Sequence, residues 1–418
     1  MIAGRPGLPA PASANALALL RFPDRRTTWA VVAAATLSAP VDRLQEQMEA
    51  LHRAVPMTGA RLHRETWHPG PPPELLTVDG DPLDAPELVA HFDLATQPPV
   101  RVVAGSGGTR VAVACHHAAF DGQSLVTLLA ALVRPGGVDS REHPVSSSAT
   151  LPLRGPEPRG PGVDRGRGSG AWGSGRLVPE VRGLVGRLVR PADRVAPSLL
   201  RPVREALAVT DVDLSGPEVT ARLVAAAVAA AGTHNARLGR PWRRVGVNIG
   251  LAGPAGIGGS GEAGLAGAGG PAEAAAGGPA EASGPGRPSV DWPPGNRSRY
   301  RRVDLRAGDP VGPVLAQAMA RTREPLDQVW SPRFGWVLEP VVGRFSDSLL
   351  VSNLGRREVP GATRLEFFPA ARGRSAVAVG AVGLAGGPAA VSVRARDLSP
   401  DDARVLLAEL VERLAVGP

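Results

Sequence analysis

Unbroken apolar runs alternate along this chain with stretches whose apolar positions recur every three or four residues. Thr28–Leu37 is β-branched and apolar and predicts a buried strand, while Val41–Ala54 sets Leu44, Met48 and Leu51 on one helical face. Pro69–Pro73 predicts a turn. Leu94–Val103 passes through Gln97-Pro98-Pro99 into a second strand, and Arg110–His117 predicts a third. Asp121–Leu132 then predicts a helix with Leu125, Leu128, Leu129 and Leu132 on one face, Asp121 at its N-cap and Pro135-Gly136-Gly137 beyond its end. The second half has the same character. Strands are predicted over Ala206–Leu214, Arg244–Gly250, Ser348–Asn353, Ala376–Val382 and Ala389–Ala395, and helices over Pro217–Ala231, Pro310–Arg323 and Pro400–Leu414. Strand–helix alternation in both halves predicts two related α/β lobes.

Two stretches break the pattern. Residues 138–175 are rich in Pro, Gly, Ser and Arg and predict a linker between the lobes. Residues 251–288 are nearly all Gly, Ala, Pro and Glu, and predict a disordered insertion, having too little apolar surface to order themselves. The expected organisation is therefore an N-terminal lobe over 1–150, a linker with a basic amphipathic helix over 151–205, and a C-terminal lobe over 206–418. In the linker helix, Leu177, Val181, Leu184 and Leu188 alternate with Arg182, Arg187 and Arg190.

The chain has 418 residues, enough for two cores. Its basic residues are all arginine, which together with abundant Gly and Pro is what a GC-rich genome produces. Residues 151–205 carry 11 Arg against 5 acids, most of the net charge of +8. No nucleic-acid motif accompanies them and aromatics are only 4%, so nucleic acid is not an expected partner. The basic helix is expected to be a solvated face, a dock for an acidic carrier protein or coenzyme A phosphates, or a membrane-surface contact, the last not favoured. A single cysteine, Cys115, excludes an internal disulfide and a cysteine-based zinc site. The apolar N-terminal stretch is too short for a signal peptide, and no run of 18 apolar residues exists, so a cytoplasmic enzyme is expected.

Candidate chemistry centres on His116-His117-Ala118-Ala119-Phe120-Asp121-Gly122. Alternation along the strand puts Cys115 and His117 on one side and His116 on the other, so the two histidines do not form a metal pair. His117 is expected at the strand's exit, where loops open to solvent, and His116 in the packing between strand and helix. A neutral imidazole suits proton removal from an amine or hydroxyl near neutral pH, and direct acyl transfer needs one such base and no protein nucleophile. A Cys115–His117 nucleophile pair is the rival reading, opposed by the spacing of two along a strand.

The run resembles the HHxxxDG motif of non-ribosomal peptide synthetase condensation domains, whose HxxxD core is shared by chloramphenicol acetyltransferase-like acyltransferases. Phe92-Asp93-Leu94 with Pro99-Val100-Arg101-Val102, Gly295-Asn296, and Val351-Ser352-Asn353-Leu354-Gly355 resemble further segments of that family in the expected order; His52-Arg53-Ala54-Val55 is a degenerate match to another. The resemblance implies an α/β (α+β sandwich) architecture, two chloramphenicol acetyltransferase-like lobes with a channel between them. It implies His117 as general base. His116, Asp121 and Gly122 would support the site, with Asp121 held by an arginine, for which Arg53 and Arg61 are the candidates. Ser352 and Asn353 would line the channel or bind an oxyanion. No bound cofactor or metal is implied. The donor would come on phosphopantetheine of an acyl or peptidyl carrier protein or on coenzyme A, and the acceptor would be a small-molecule amine or alcohol. The expected function is a free-standing condensation-type acyltransferase of secondary-metabolite or antibiotic biosynthesis. An acyl-CoA-dependent O-acyltransferase of lipid or wax-ester type and a non-catalytic binding module are the alternatives.

Overall fold

The computed structural model describes residues 8–22, 26–134, 191–200, 202, 204–216, 218–251, 296, 298–306, 308–320, 347–372 and 376–416. The predicted linker, the basic helix over Leu177–Arg190, Gly295 and all but the first residue of the predicted insertion lie outside them.

The N-terminal half contributes β1 (Ala10–Pro11), α1 (Ala14–Leu20), β2 (Ala30–Leu37), α2 (Leu44–Ala54), β3 (Arg61–His63), β4 (Thr66–His68), β5 (Leu75–Val78), β6 (Val100–Gly105), β7 (Arg110–His116) and α3 (Gly122–Leu132). The C-terminal half contributes β8 (Ala206–Val212), α4 (Val219–Arg237), β9 (Arg244–Leu251), β10 (Arg299–Arg306), α5 (Val311–Ala320), β11 (Leu349–Arg357), β12 (Ala362–Phe368), β13 (Val377–Leu384), β14 (Ala389–Ala395) and α6 (Pro400–Val416). The main sheets run β12-β2-β7-β6-β5 and β10-β9-β11-β13-β14-β8; β1, β4 and β3 form a small third sheet. Each main sheet has its own apolar core. Both faces of β2 and β7 are buried, which is why those strands read as continuous Ala/Val runs rather than as alternating patterns.

Two of the features that went unread in the sequence shape the cores. First, β12 lies within the segment expected to form the C-terminal lobe, yet it pairs antiparallel with β2 and closes the N-terminal sheet. Its Leu365, Phe367 and Phe368 are buried in the N-terminal core. Second, α4 runs six residues past its predicted end at Ala231. The apolar period fades there because His234 and Asn235 are buried polar residues. Asn235 accepts from Ala196 N at 2.7 Å and donates to Arg194 O at 2.9 Å, while His234 Nε2 meets Ala196 O at 2.9 Å.

The two lobes are tied by a buried arginine. Arg394 on β14 is 0% exposed. It ion-pairs with Glu205, donates to the carbonyl of Ala30 on β2, and reaches Thr28 Oγ1 at 3.1 Å. Close packing continues the join at Gly380, where a Cβ would come within 2.3 Å of the Phe367 carbonyl oxygen. Because removing one member of a buried pair strands the other charge, Arg394→Met is expected to destabilise the fold by about 3–5 kcal/mol. Chemical denaturation at neutral pH checks this; a loss under about 1 kcal/mol would show that the lobes are held by other contacts.

Candidate active site

The site begins in the register between β2 and β7. Ala30 opposes His116, and the His117 amide carries the ladder one step further by donating to Trp29 O at 2.8 Å. Trp29 sits at φ 53°, a conformation uncommon for a bulky residue, and its indole stacks edge-on against Phe22 at 5.5 Å. A single tight turn follows, with Ala119 N and Phe120 N both donating to His116 O at 2.9 and 3.3 Å. Asp121 then starts α3 as its N-cap, accepting from Ser124 N at 2.8 Å. Gly122 leaves no room for a side chain: a Cβ there would lie 2.9 Å from the Phe367 ring and 3.1 Å from Leu354. The helix start thus packs directly on β12 and β11.

This turn determines the chemistry of His117. Its Nδ1 lies 3.1 Å from the Phe120 carbonyl oxygen, which can only accept, so Nδ1 carries the proton. Nε2 is left with its lone pair, and that lone pair accepts from the hydroxyl of Tyr300 on β10. Burial holds His117 below the ordinary imidazole pKa; the Phe120 carbonyl and the Asp121 charge push back up, and Arg372 pushes down. The group is therefore a neutral base. It is 4% exposed rather than placed at an open rim, which corrects the expectation from the strand's exit. The rim is closed because the second lobe covers it: the pocket around His117 is lined by Gly122, Gly250, Ser298, Tyr300, Ser352 and Phe367, from both sheets.

His116 faces the other way. Its Nδ1 accepts from Ala118 N at 3.1 Å, and its ring stands edge-on to Phe92 at 5.7 Å. Phe92 is itself covered by the Arg101 guanidinium at 3.7 Å. The segments Phe92-Asp93-Leu94 and Pro99–Val102 therefore buttress the histidine turn from behind, and Pro99 O accepts from His116 N at 2.8 Å. Burial, with the neighbouring positive groups, pushes His116 down to about 3. Cys115 is fully buried with Sγ 3.7 Å from the Phe120 carbonyl, and burial raises its pKa well above the ordinary thiol value. It is a protonated core residue and a poor nucleophile.

The arginine expected at Asp121 is neither candidate. Arg61 donates to the carbonyls of Gly59, Ala60 and Thr96. Arg53 lines a surface groove with Val133 and Arg134, at the far end of α3 from Asp121. A guanidinium that does feel Asp121 is Arg357, at the end of β11, whose pKa burial lowers and Asp121 raises. Ser352 and Asn353 both line the pocket. Asn353 is occupied, donating to Thr220 Oγ1 at 3.2 Å and accepting from Gly355 N at 2.9 Å. Ser352 packs against Gly250, where a Cβ would stand 2.9 Å from its Oγ. Sequence reasoning missed Tyr300, Arg372 and Asp347. Arg372 lies 4.4 Å over the Tyr300 ring and pairs with Asp347 at 3.4 Å; Asp347 also pairs with Arg302 at 3.1 Å and accepts from Asn248 at 2.8 Å. Among the described residues no cluster of three or more His, Cys, Asp or Glu is placed to hold a metal ion, and no helix is long and apolar enough to cross a membrane.

No known protein family's sequence profile matches this chain, and neither does any curated protein sequence. Solved structures do. The first condensation domain of the calcium-dependent antibiotic synthetase, in complex with a substrate analogue, superposes with a TM-score of 0.51 at 13% identity, covering 97% of this chain and 95% of that one. The starter condensation domain of rhizomide synthetase, a mutant in complex with C8-CoA and Leu-SNAC, gives 0.51 at 11% identity over 97% and 93%. The chain therefore has the two-lobed, mixed α/β fold seen in these condensation domains.

The neutrality of His116 carries a consequence for stability. The unfolded chain protonates this imidazole as pH falls through about 6.5, whereas the folded chain keeps it neutral down to about 3. Stability present above pH 6.5 is thus lost on acidification, by about 2 kcal/mol between pH 7 and 5 from this group. Urea midpoints at the two pH values should show a smaller acid loss in His116→Asn than in wild type. Equal losses would mean that His116 titrates normally.

Proposed function

We propose that the chain is a condensation-type acyltransferase. It joins a thioester-activated acyl or aminoacyl group to an amine or alcohol, with His117 as general base. The observation that carries this reading is the tautomer of His117: Nδ1–H is spent on the Phe120 carbonyl, and the Nε2 lone pair is directed into a pocket between the two lobes. The HHAAFDG run and the condensation-domain fold support the reaction class.

In this reading the acceptor attacks the thioester carbonyl as a proton is delivered to Nε2. The tetrahedral intermediate collapses, the C–S bond breaks, and the imidazolium returns the proton to the departing thiolate. Ser352 Oγ on the pocket wall favours the developing oxyanion. Asp121 holds the turn in place and supports the imidazolium without transferring a proton. The donor would arrive on phosphopantetheine of a carrier protein or on coenzyme A, as in the rhizomide synthetase domain bound to C8-CoA.

The test is acceptor-dependent thiol release from acyl-CoA donors of short to long chain, and from the same acyl groups on carrier proteins, with pooled amines and alcohols. His117→Ala should release thiol at least about 10²-fold more slowly than wild type. Equal rates in the two proteins would remove His117 from the chemistry. No release from any donor would favour a non-catalytic, condensation-like binding module.

A further inference from the structure

The hydroxyl on His117 Nε2 belongs to the single tyrosine of the chain. An imidazole protonated on Nδ1 has one lone pair to offer, and Tyr300 occupies it. No acceptor can hand its proton straight to His117 while that hydrogen bond stands.

Nor is the phenol free to swing away. Its ring stands edge-on to His117 at 6.1 Å and 87°, and the Arg372 guanidinium covers it at 4.4 Å. Arg372 is in turn anchored by Asp347. Leaving would forfeit the cation–π contact, about 0.5–2 kcal/mol, together with the hydrogen bond. The space left in the pocket is about 40 Å³, enough for a few waters. Burial keeps the phenol protonated, with Arg372 acting against it, so Tyr300 is a donor to Nε2. Ser298, two residues earlier, also lines the pocket beside it. Of the hydroxyls that line the pocket, those of Ser298, Tyr300 and Ser352, the one on His117 Nε2 is that of Tyr300.

We propose that Tyr300 is a catalytic residue that relays the acceptor's proton to His117. This rests on the acyl-transfer reading above. The acceptor's N–H or O–H proton passes to Tyr300 Oη while the phenolic proton passes to His117 Nε2. The new C–N or C–O bond forms and the thioester C–S bond breaks. The imidazolium proton then returns through the same hydroxyl to the thiolate, leaving both side chains as they began.

Because the chain has one tyrosine, growth on 3-fluorotyrosine labels residue 300 alone. Its single fluorine resonance should shift between the otherwise wild-type chain and His117→Ala, a result that needs no turnover. An unshifted resonance would overturn the relay. In the transfer assay Tyr300→Phe, which keeps the ring and the Arg372 contact, should lose about tenfold or more in kcat with little change in acceptor KM. The fluorotyrosine enzyme should move the alkaline limb of the pH profile to lower pH, because its phenol ionises more readily; a merely structural ring would leave that limb in place. Tyr300→Phe at or above the wild-type rate, beside a His117→Ala enzyme that is impaired, would sink the relay and leave the acyl-transfer reading standing. Wild-type rates in both variants would sink both.

Discussion

One hydrogen bond sets the chemistry of the molecule: His117 Nδ1 donating to the carbonyl of Phe120, three residues on. It fixes the tautomer without a carboxylate, so the base is oriented by the backbone of its own turn. That turn is over-determined. The β2–β7 register holds one side, the Asp121 cap holds the other, and Gly122 lets the helix start sit against Phe367. Besides capping the helix, Asp121 acts on His117 through its charge, as one of two influences that offset desolvation.

The N-terminal lobe builds this base, but the C-terminal lobe builds the environment in which it works. Tyr300, Ser352 and Gly250 come from the second sheet, and Arg372 from the loop after β12. The lobes must therefore stay in register to within the length of a hydrogen bond. The crossing of β12 into the first sheet and the buried Arg394 that holds the Ala30 carbonyl both act close to β2, beside the histidine turn. Rigidity at the join is thus coupled to geometry at the base.

The histidine turn was legible in the sequence because all its parts are local: strand period, cap and glycine fall within seven residues. The partners across the pocket were not. Tyr300 lies in Arg299–Arg306, where apolar Val303 and Leu305 alternate with charge, but four arginines and the neighbouring Gly/Ala-rich stretch mask the strand. Arg357 could not be told from Arg53 or Arg61, because which guanidinium feels the charge of Asp121 depends on how β11 meets α3. The strand β12 was missed for a related reason. Its sequence, Ala-Thr-Arg-Leu-Glu-Phe-Phe, carries a buried Glu366 whose acceptability rests on ion pairs with Arg364 of the same strand and with Arg110 of β7, far away in the sequence.

The central claim is that a buried, neutral His117 takes the proton in acyl transfer. The pH dependence of kcat/KM tests it most directly, since it reports the free enzyme's essential base. The account predicts an acid limb of one proton falling below pH 6.5, because burial lowers the His117 pKa, with that limb missing from the residual activity of His117→Ala. A limb at or above pH 7, or the same limb in both proteins, would contradict it.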